Sequence, residues 1–404
     1  MSVKREPRRG TWVAHWREGD GRQRSRSFTL KRDAEAFERD VKRRRQLGPL
    51  ALSQLTGRPP TLGEWMAERW VPEHAAGLEQ STRTRYVEVY RLHIGPWLDA
   101  VALNELGVAR LRGWQADRLR AGVGAGTIMK ARTLLSSVLR HAAESEVIAG
   151  NPMTLVRAPR PPQRDAVVPL APATVEAIRA AIAAPGKVAV PAGSRSGRPR
   201  RAYEREGHRG PQAGIRDAAL VAVLAYAGLR PGEARGLRWG DVRERTILVQ
   251  RAADLDGTAK QTKNRASRSV RLLAPLAQDL KAWRLASGRP ADSAPVFGRD
   301  DGEMWTKEDW GNWRSRQWAD ASRAAGLQAT PRPYDLRHSF ASLLLAEGRA
   351  IHYVAAQLGH SPALTLSTYG HLFAEYEDAE RIDAEAEIAA ARAAGRTPVA
   401  TLAG

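Results

Sequence analysis

The sequence predicts a mainly α protein with small β-sheets, an α+β class in which helices supply most of the core. Apolar residues recur at helical spacing over most of residues 61–369, whereas Trp12, Val13, His15 and Trp16 crowd into a period-two stretch before Gly19-Asp20-Gly21, with Phe28 and Leu30 after it. Stretches rich in Pro and Gly at 48–60 and 158–169 break both patterns and read as linkers. A chain of 404 residues with 43% hydrophobic content can build two or three domains, each with its own core.

The first expected domain is 1–50. Its alternating part predicts a hairpin or short meander, and Lys31 to Leu47 a helix with Ala34, Phe37 and Val41 on one face, giving a ββ(β)α unit. It holds 15 Lys/Arg against 7 Asp/Glu, a net +8, and Arg43, Arg44 and Arg45 are its candidate phosphate contacts. The second, 60–155, opens on Thr61 with Glu64 three positions on, a capping box ahead of Trp65, Met66 and Trp70. Helices follow at 81–93, 104–121 and 126–146; Arg83, Arg85 and Lys130, with Arg91, Arg132 and Arg140, fall on their polar faces as candidate DNA contacts.

The third, 165–375, alternates helices with one short β section: helices at 172–183, 215–228 and 231–238, strands near 246–252, 257–262 and 268–273, then helices at 275–287, 306–325, 335–347, 350–358 and 362–369. Residues 185–214 lack a pattern, carry a net +5 and are expected to form a mobile basic insertion. The tail, 376–404, turns acidic and contains the strong helix former EAEIAAARAA.

Composition narrows the partners. With 64 Lys/Arg against 44 Asp/Glu the net charge is +20, which favours a polyanion and puts nucleic acid first. There is no cysteine, no HExxH, no EF-hand loop and no GxxxxGK[ST], so neither a metal, nor ATP, nor any other cofactor is expected. No apolar run approaches the ~18 residues of a membrane span, and Met1 leads into charged residues, so a soluble, cytoplasmic protein with no membrane partner is expected.

Residues suited to chemistry gather at predicted helix ends of the third domain. Arg230 precedes Pro231, with Glu233 one turn in, so its planar fork could grip a phosphate while Glu233 orients it. In PYDLRHSF, Asp335 can cap, Arg337 and His338 fall in the first turn, and Leu336 and Phe340 anchor it. His360 sits in the corner between Gly359 and Ser361-Pro362, Tyr369 ends the next short helix with Gly370 as its cap, and Lys263 is expected on a hairpin tip before SRSVRL. Singly, each is more readily a capping pair, a structural His or a solvated Lys, and only their order changes that.

Their order, Arg-x-x-Glu, hairpin Lys, DLRH, LGH and a Tyr eight intervening residues after that His, resembles the tyrosine recombinase family, specifically phage-type integrases. The resemblance implies three parts: an arm-type DNA-binding domain, a helical core-binding domain and a mixed catalytic domain. It implies Arg230 and Arg337 as catalytic arginines, Lys263 as catalytic lysine, His360 as the late histidine and Tyr369 as nucleophile, with Glu233, Tyr334 and His338 in support. The family usually has His where Tyr334 stands; a phenol can donate a hydrogen bond to a nonbridging oxygen but cannot shuttle a proton near neutrality.

The implied reaction cleaves and rejoins double-stranded DNA without metal or ATP. It proceeds through a 3′-phosphotyrosyl link and a Holliday junction, with Lys263 as the acid at the departing 5′ oxygen and His360 as phosphate donor or base. The implied assembly is a homotetramer on core and arm sites, with a directionality factor and a DNA-bending protein as possible partners and the tail packed on a neighbouring subunit. A plasmid- or chromosome-dimer resolvase, a transposon recombinase and a catalytically inactive DNA-binding regulator are the alternatives; the basic amino-terminal unit favours the integrase.

Overall fold

The computed structural model describes residues 2–6, 10–17, 23–46, 59–160, 168–184, 187–190, 193–195, 198–201, 203–206, 211–261, 267–377 and 381–396. The chain divides into two compact units, Met1–Arg164 and Asp165–Gly404.

In the first unit the alternating stretch becomes an antiparallel sheet, β1 (Ser2–Glu6), β2 (Thr11–Arg17) and β3 (Gln23–Phe28), followed by α1 (Lys31–Gln46). Trp16 meets Phe37 edge-on, ring centroids 5.3 Å apart, and Ala34 and Val41 complete the buried face. Arg43 is exposed and lies 3.2 Å from Asp40; the side chains of Arg44 and Arg45 fall outside the described residues.

The same unit contains α2 (Leu62–Trp65, running through a π turn at Met66–Trp70 into Val71–Glu73), α3 (Gln80–Val89, through Tyr90–Ile94 into Gly95–Leu98), α4 (Val108–Arg120) and α5 (Ala125–Glu144). The Thr61 box forms, its amide donating to Glu64 Oε2 at 2.8 Å and its hydroxyl accepting from the Glu64 amide at 3.3 Å. Arg83, Arg85 and Lys130 are exposed. Arg132 corrects the expectation: it is buried and donates to the Val156 carbonyl at 2.6 Å. It stands four residues after Ile128 and three before Leu135, on the buried stripe of α5, so its charge is spent inside the unit.

The second unit is organised around α7 (Pro211–Tyr226), which follows α6 (Pro172–Ala183) and the strands β4 (Lys187–Val190), β5 (Gly193–Arg195), β6 (Arg198–Arg200) and β7 (Tyr203–Glu206). Residues 218–227 are all at most 5% exposed. A helix with no polar face must be covered on every side, and α7 is packed by α6 and by two later helices, Ala274–Ala286 and Leu336–Ala346. The 185–214 segment is not patternless. β4 pairs with β7 and β5 with β6 in one register, from Lys187 opposite Glu206 to Arg195 opposite Arg198, and α7 already begins at Pro211. Strands of three or four residues are too short to show the apolar alternation by which a half-buried strand is recognised.

After α8 (Pro231–Arg235), β8 (Thr246–Val249) and β9 (Arg251–Ala253) form one side of a bent ladder, with β10 (Ala259–Gln261) and β11 (Arg268–Arg271) on the other. Gln261 faces Arg251 and Arg268 faces Val249, so the returning side carries five extra residues between the two ladders. The expected hairpin between β10 and β11 is therefore not formed; both pair with the outgoing strands. Lys263 lies outside the described residues.

The remaining helices are α9 (Ala274–Ala286), α10 (Lys307–Trp313, continuing through Arg314–Trp318 into Ala319–Ala324), α11 (Leu336–Ala346), α12 (Ile351–Leu358), α13 (Pro362–Glu377) and α14 (Ala384–Arg396). Tyr369 does not end its helix: α13 runs on through Gly370. Thr365, Tyr369 and Leu372 make a buried stripe that Tyr376 extends, its hydroxyl 3.1 Å from Ser342 Oγ, and this burial outweighs the ~1 kcal/mol cost of an interior glycine. The tail also differs from expectation, because α14 covers its own unit. Ala384 and Ile388 are buried, and Arg392 donates to Asp279 at 2.6 Å and to the Pro275 carbonyl at 2.9 Å and lies 3.3 Å from Glu176. Buried Glu176 and half-buried Asp279 need cations, and Arg392 supplies one beside Arg179. Among the described residues no helix is long and apolar enough to cross a membrane.

Candidate active site

The site is built on the C-terminus of α12, where a helix leaves carbonyls without intrahelical partners. Gly359 takes the left-handed conformation (φ 62°) that ends the helix, and the His360 amide turns back to the Ala355 carbonyl at 3.0 Å. Three consecutive carbonyls are thereby presented, and a different arginine takes each. Arg268 Nε donates to Gln357 O at 3.0 Å, Arg337 Nη2 to Leu358 O, and Arg230 Nη2 to Gly359 O at 3.2 Å. Cations at the negative end of a helix are favourably placed. Arg337 is 1% exposed and also donates through Nη1 to the carbonyl of Gly228. Gly228 has φ 58°, and a Cβ there would stand 2.5 Å from the Phe340 ring, so the turn that offers this carbonyl requires glycine.

Glu233 binds two of the three cations. It accepts from Arg268 Nη1 and Nη2 at 2.9 and 2.7 Å, and from Arg230 Nη1 and the Arg230 amide at 2.8 Å each. Burial would push this carboxyl up, but the two guanidiniums and the amide outweigh it and hold Glu233 at about 2. Three arginines and one carboxylate leave a net charge of +2. Burial, with Arg230 and Arg268 nearby, lowers Arg337 to about 10, so it remains a cation at neutral pH.

Arg337 and His338 reach opposite ways from the first turn of α11, which Leu336 and Phe340 fix by full burial. Arg337 Nη2 lies 3.0 Å from His360 Nε2. Burial and the three arginines lower His360 to about 4, so the ring is neutral, accepts this bond at Nε2 and carries its proton on Nδ1. His338 Nδ1 lies 2.7 Å from the Tyr369 hydroxyl. Tyr369 is fully buried; burial pushes its phenol up to about 12 although Arg337 pulls the other way, so it is a neutral hydroxyl. Tyr334 stands edge-on to His338, centroids 5.6 Å apart.

The structure thus gathers Arg230, Glu233, Arg337, His338, Tyr334, His360 and Tyr369 from segments up to 139 residues apart, while Lys263 cannot be located among the described residues. Sequence reasoning missed Arg268. The signal was present: Arg268 stands two before Val270, and in a strand that spacing puts it on the same inward face as that fully buried valine.

Residues 206–375 match the model of the Phage integrase family. The tyrosine recombinase XerC of Methylobacterium sp. (strain 4-46) is 30% identical over 285 residues, covering 69% of this chain and 78% of the relative. The chain belongs to the tyrosine recombinase family. It is accordingly a site-specific recombinase by class. The XerC of Mesorhizobium japonicum is 27% identical over 308 residues, covering 74% of this chain and 85% of that protein. Two solved structures share the fold. The Tn1549 transposon integrase in complex with a circular intermediate DNA has a TM-score of 0.60 at 18% identity over 78% of this chain and 99% of that one. A lambda integrase dimer bound to a COC′ core site has a TM-score of 0.56 at 15% identity over 94% and 96%.

Proposed function

We propose that this tyrosine recombinase is a phage-type integrase, which integrates or excises mobile DNA by cutting and rejoining double strands at Tyr369. The observation that carries the reading is the turn at Arg337-His338, where adjacent residues bind His360 on one side and Tyr369 on the other. A phosphodiester brought to this turn meets Arg230, which is partly exposed, and the positive field of buried Arg337, whose Nη atoms donate to carbonyls and to His360; both favour the charge that grows on the phosphorane. Glu233 and Arg268 position Arg230. His360, neutral and with its Nδ1 proton to give, suits a phosphate donor.

Tyr369 Oη forms the bond to phosphorus as the bond to the 5′ oxygen breaks; the leaving oxygen takes a proton from an acid, the role we assign to Lys263. The 3′-phosphotyrosyl ester retains the bond energy, and the 5′ hydroxyl of a partner strand attacks it in the reverse sense. Four such cleavages on two duplexes call for a homotetramer and a Holliday junction. Residues 1–50 then bind arm sites and 60–155 core sites through Arg43, Arg83, Arg85 and Lys130, with a directionality factor and a DNA-bending protein as accessory partners in the cytoplasm.

A duplex site recovered from a randomised pool and nicked beside the crossover tests the reading. The wild type accumulates a denaturation-resistant protein–DNA adduct and Tyr369→Phe none; absence of adduct from the wild type would favour a binding regulator. The names of the curated relatives support a resolvase as second reading. Removing residues 1–46 discriminates: an integrase loses a second class of binding sites and keeps its core sites, whereas a resolvase loses none.

A further inference from the structure

We propose that His338 is the general base for Tyr369 in this chain, accepting the phenolic proton at Nδ1 as Tyr369 attacks phosphorus and returning it on rejoining. The inference rests on Tyr369 being the nucleophile and adds the group that activates it. A phenol has one proton to donate, and the atom it meets is His338 Nδ1 at 2.7 Å. With Tyr369 as the donor, His338 carries its own proton on Nε2 and keeps a free lone pair on Nδ1.

Among the described residues, the other groups around the site are unsuited to the task. His360 Nε2 already accepts from Arg337. Both oxygens of Glu233 are held by Arg230 and Arg268, and its low pKa makes it a feeble base. Asp335 is engaged by Arg332 at 2.7 Å. Tyr334, standing where a histidine is usual, brings a phenol that cannot take up a proton near neutrality. It stands one helical turn before His338 and packs its ring at 78° to the imidazole, whose other neighbour is Tyr369 at a centroid distance of 5.6 Å. Tyr334 is thus a positioning residue: it fixes the ring plane that aims Nδ1 at the nucleophile.

Among the described residues, the groups facing His338 are Tyr334, Asp335, Arg332 and Arg337 from its own segment, Tyr369 from α13 and His360 from the corner after α12. Burial, Arg332 and Arg337 lower its pKa more than Asp335 raises it, so the ring is neutral at physiological pH and ready to accept. Transfer from a phenol pushed up to about 12 to an imidazole lowered from its ordinary value is strongly uphill, so the proton moves only as the new P–O bond forms. The balance closes: Tyr369 loses its proton to His338, phosphorus exchanges the 5′ oxygen for the phenolate oxygen, and the acid protonates the leaving 5′ oxygen.

The test measures single-turnover adduct formation by the full-length chain on nicked duplexes with either oxygen or sulfur at the bridging 5′ position. Sulfur leaves without protonation and so bypasses the acid but not the base. His338→Gln and His338→Ala should both slow adduct formation by about 100- to 10,000-fold on both substrates, with DNA binding unchanged. The wild-type rate should fall on the acid side of neutrality, a limb that the variants lack. Full rescue by sulfur would make His338 an acid, and faster adduct formation by His338→Ala would make it a latch that holds Tyr369 back; either overturns the proposal. Should His338→Ala unfold, His338→Gln, checked by its melting temperature, decides alone. A wild type that forms no adduct, or one at another residue, refutes the nucleophile assignment instead.

Discussion

Replacing Glu233 by Gln probes the scaffold on which the arginines are arranged. The carboxylate is 4% exposed and accepts four hydrogen bonds, three from guanidinium nitrogens and one from the Arg230 amide. Its pKa is held at about 2 against an ordinary 4.5; at 1.36 kcal/mol per pKa unit, that difference corresponds to about 3 kcal/mol of folding stability. The sign follows from the depression: below both values the contribution is absent, and above 4.5 it is complete. Glutamine keeps one acceptor oxygen but turns an amide donor toward a guanidinium, leaving half-buried Arg268 without its counter-charge. Urea unfolding followed by tryptophan fluorescence should show Glu233→Gln about 3 kcal/mol less stable at pH 7, the gap closing as pH falls from 4.5 toward 2. A gap below about 1 kcal/mol at pH 7, the level of a surface ion pair, or one that does not change with pH, would refute the reasoning.

Three further outcomes follow from the same geometry. Gly228→Ala places a Cβ 2.5 Å from Phe340 at a positive φ, so it should cost about 2–4 kcal/mol by chemical denaturation and slow adduct formation by displacing the carbonyl that holds Arg337. Tyr334→Phe keeps the ring that packs on His338 and removes only the hydroxyl, so single-turnover cleavage should fall modestly, by about 10-fold or less, whereas Tyr369→Phe abolishes it; equal losses would contradict the ranking. Arg392→Ala strips the tail of its bonds to Asp279 and Pro275, and hydrogen exchange over 384–396 should rise while the amides of α7 stay protected. Uniform exchange across both would mean that the tail is not separately docked.

Periodicity made most of the helices legible, because the residues that form the stripes, such as Leu134, Leu135 and Val138 in α5, are the ones that pack. Local end signals served less evenly. Thr61 with Glu64 caps as written, but Gly370 after Tyr369 looks like a helix stop only until the burial of Leu372 is weighed against it. Charge misled in the opposite way. Arg132 and Arg268 sit at positions that the periods of helix and strand direct inward, and their guanidiniums are satisfied there by a carbonyl and a carboxylate. The order of motifs pointed to Arg230, Arg337, His360 and Tyr369 without showing what holds them. The three carbonyls at the end of α12 and the His338–Tyr369 bond are tertiary facts, made by segments that meet only when α7 is buried among its neighbours.

In the proposed reaction Tyr369 Oη joins protein to DNA. The measurement that tests this most directly is protease digestion of the trapped adduct followed by mass spectrometry of the nucleotide-bearing peptide. The expected result is a single modified residue, Tyr369, carrying a 3′-phosphate linkage, with a free 5′ hydroxyl on the released strand. A linkage at any other side chain, or one to a 5′-phosphate, would contradict it.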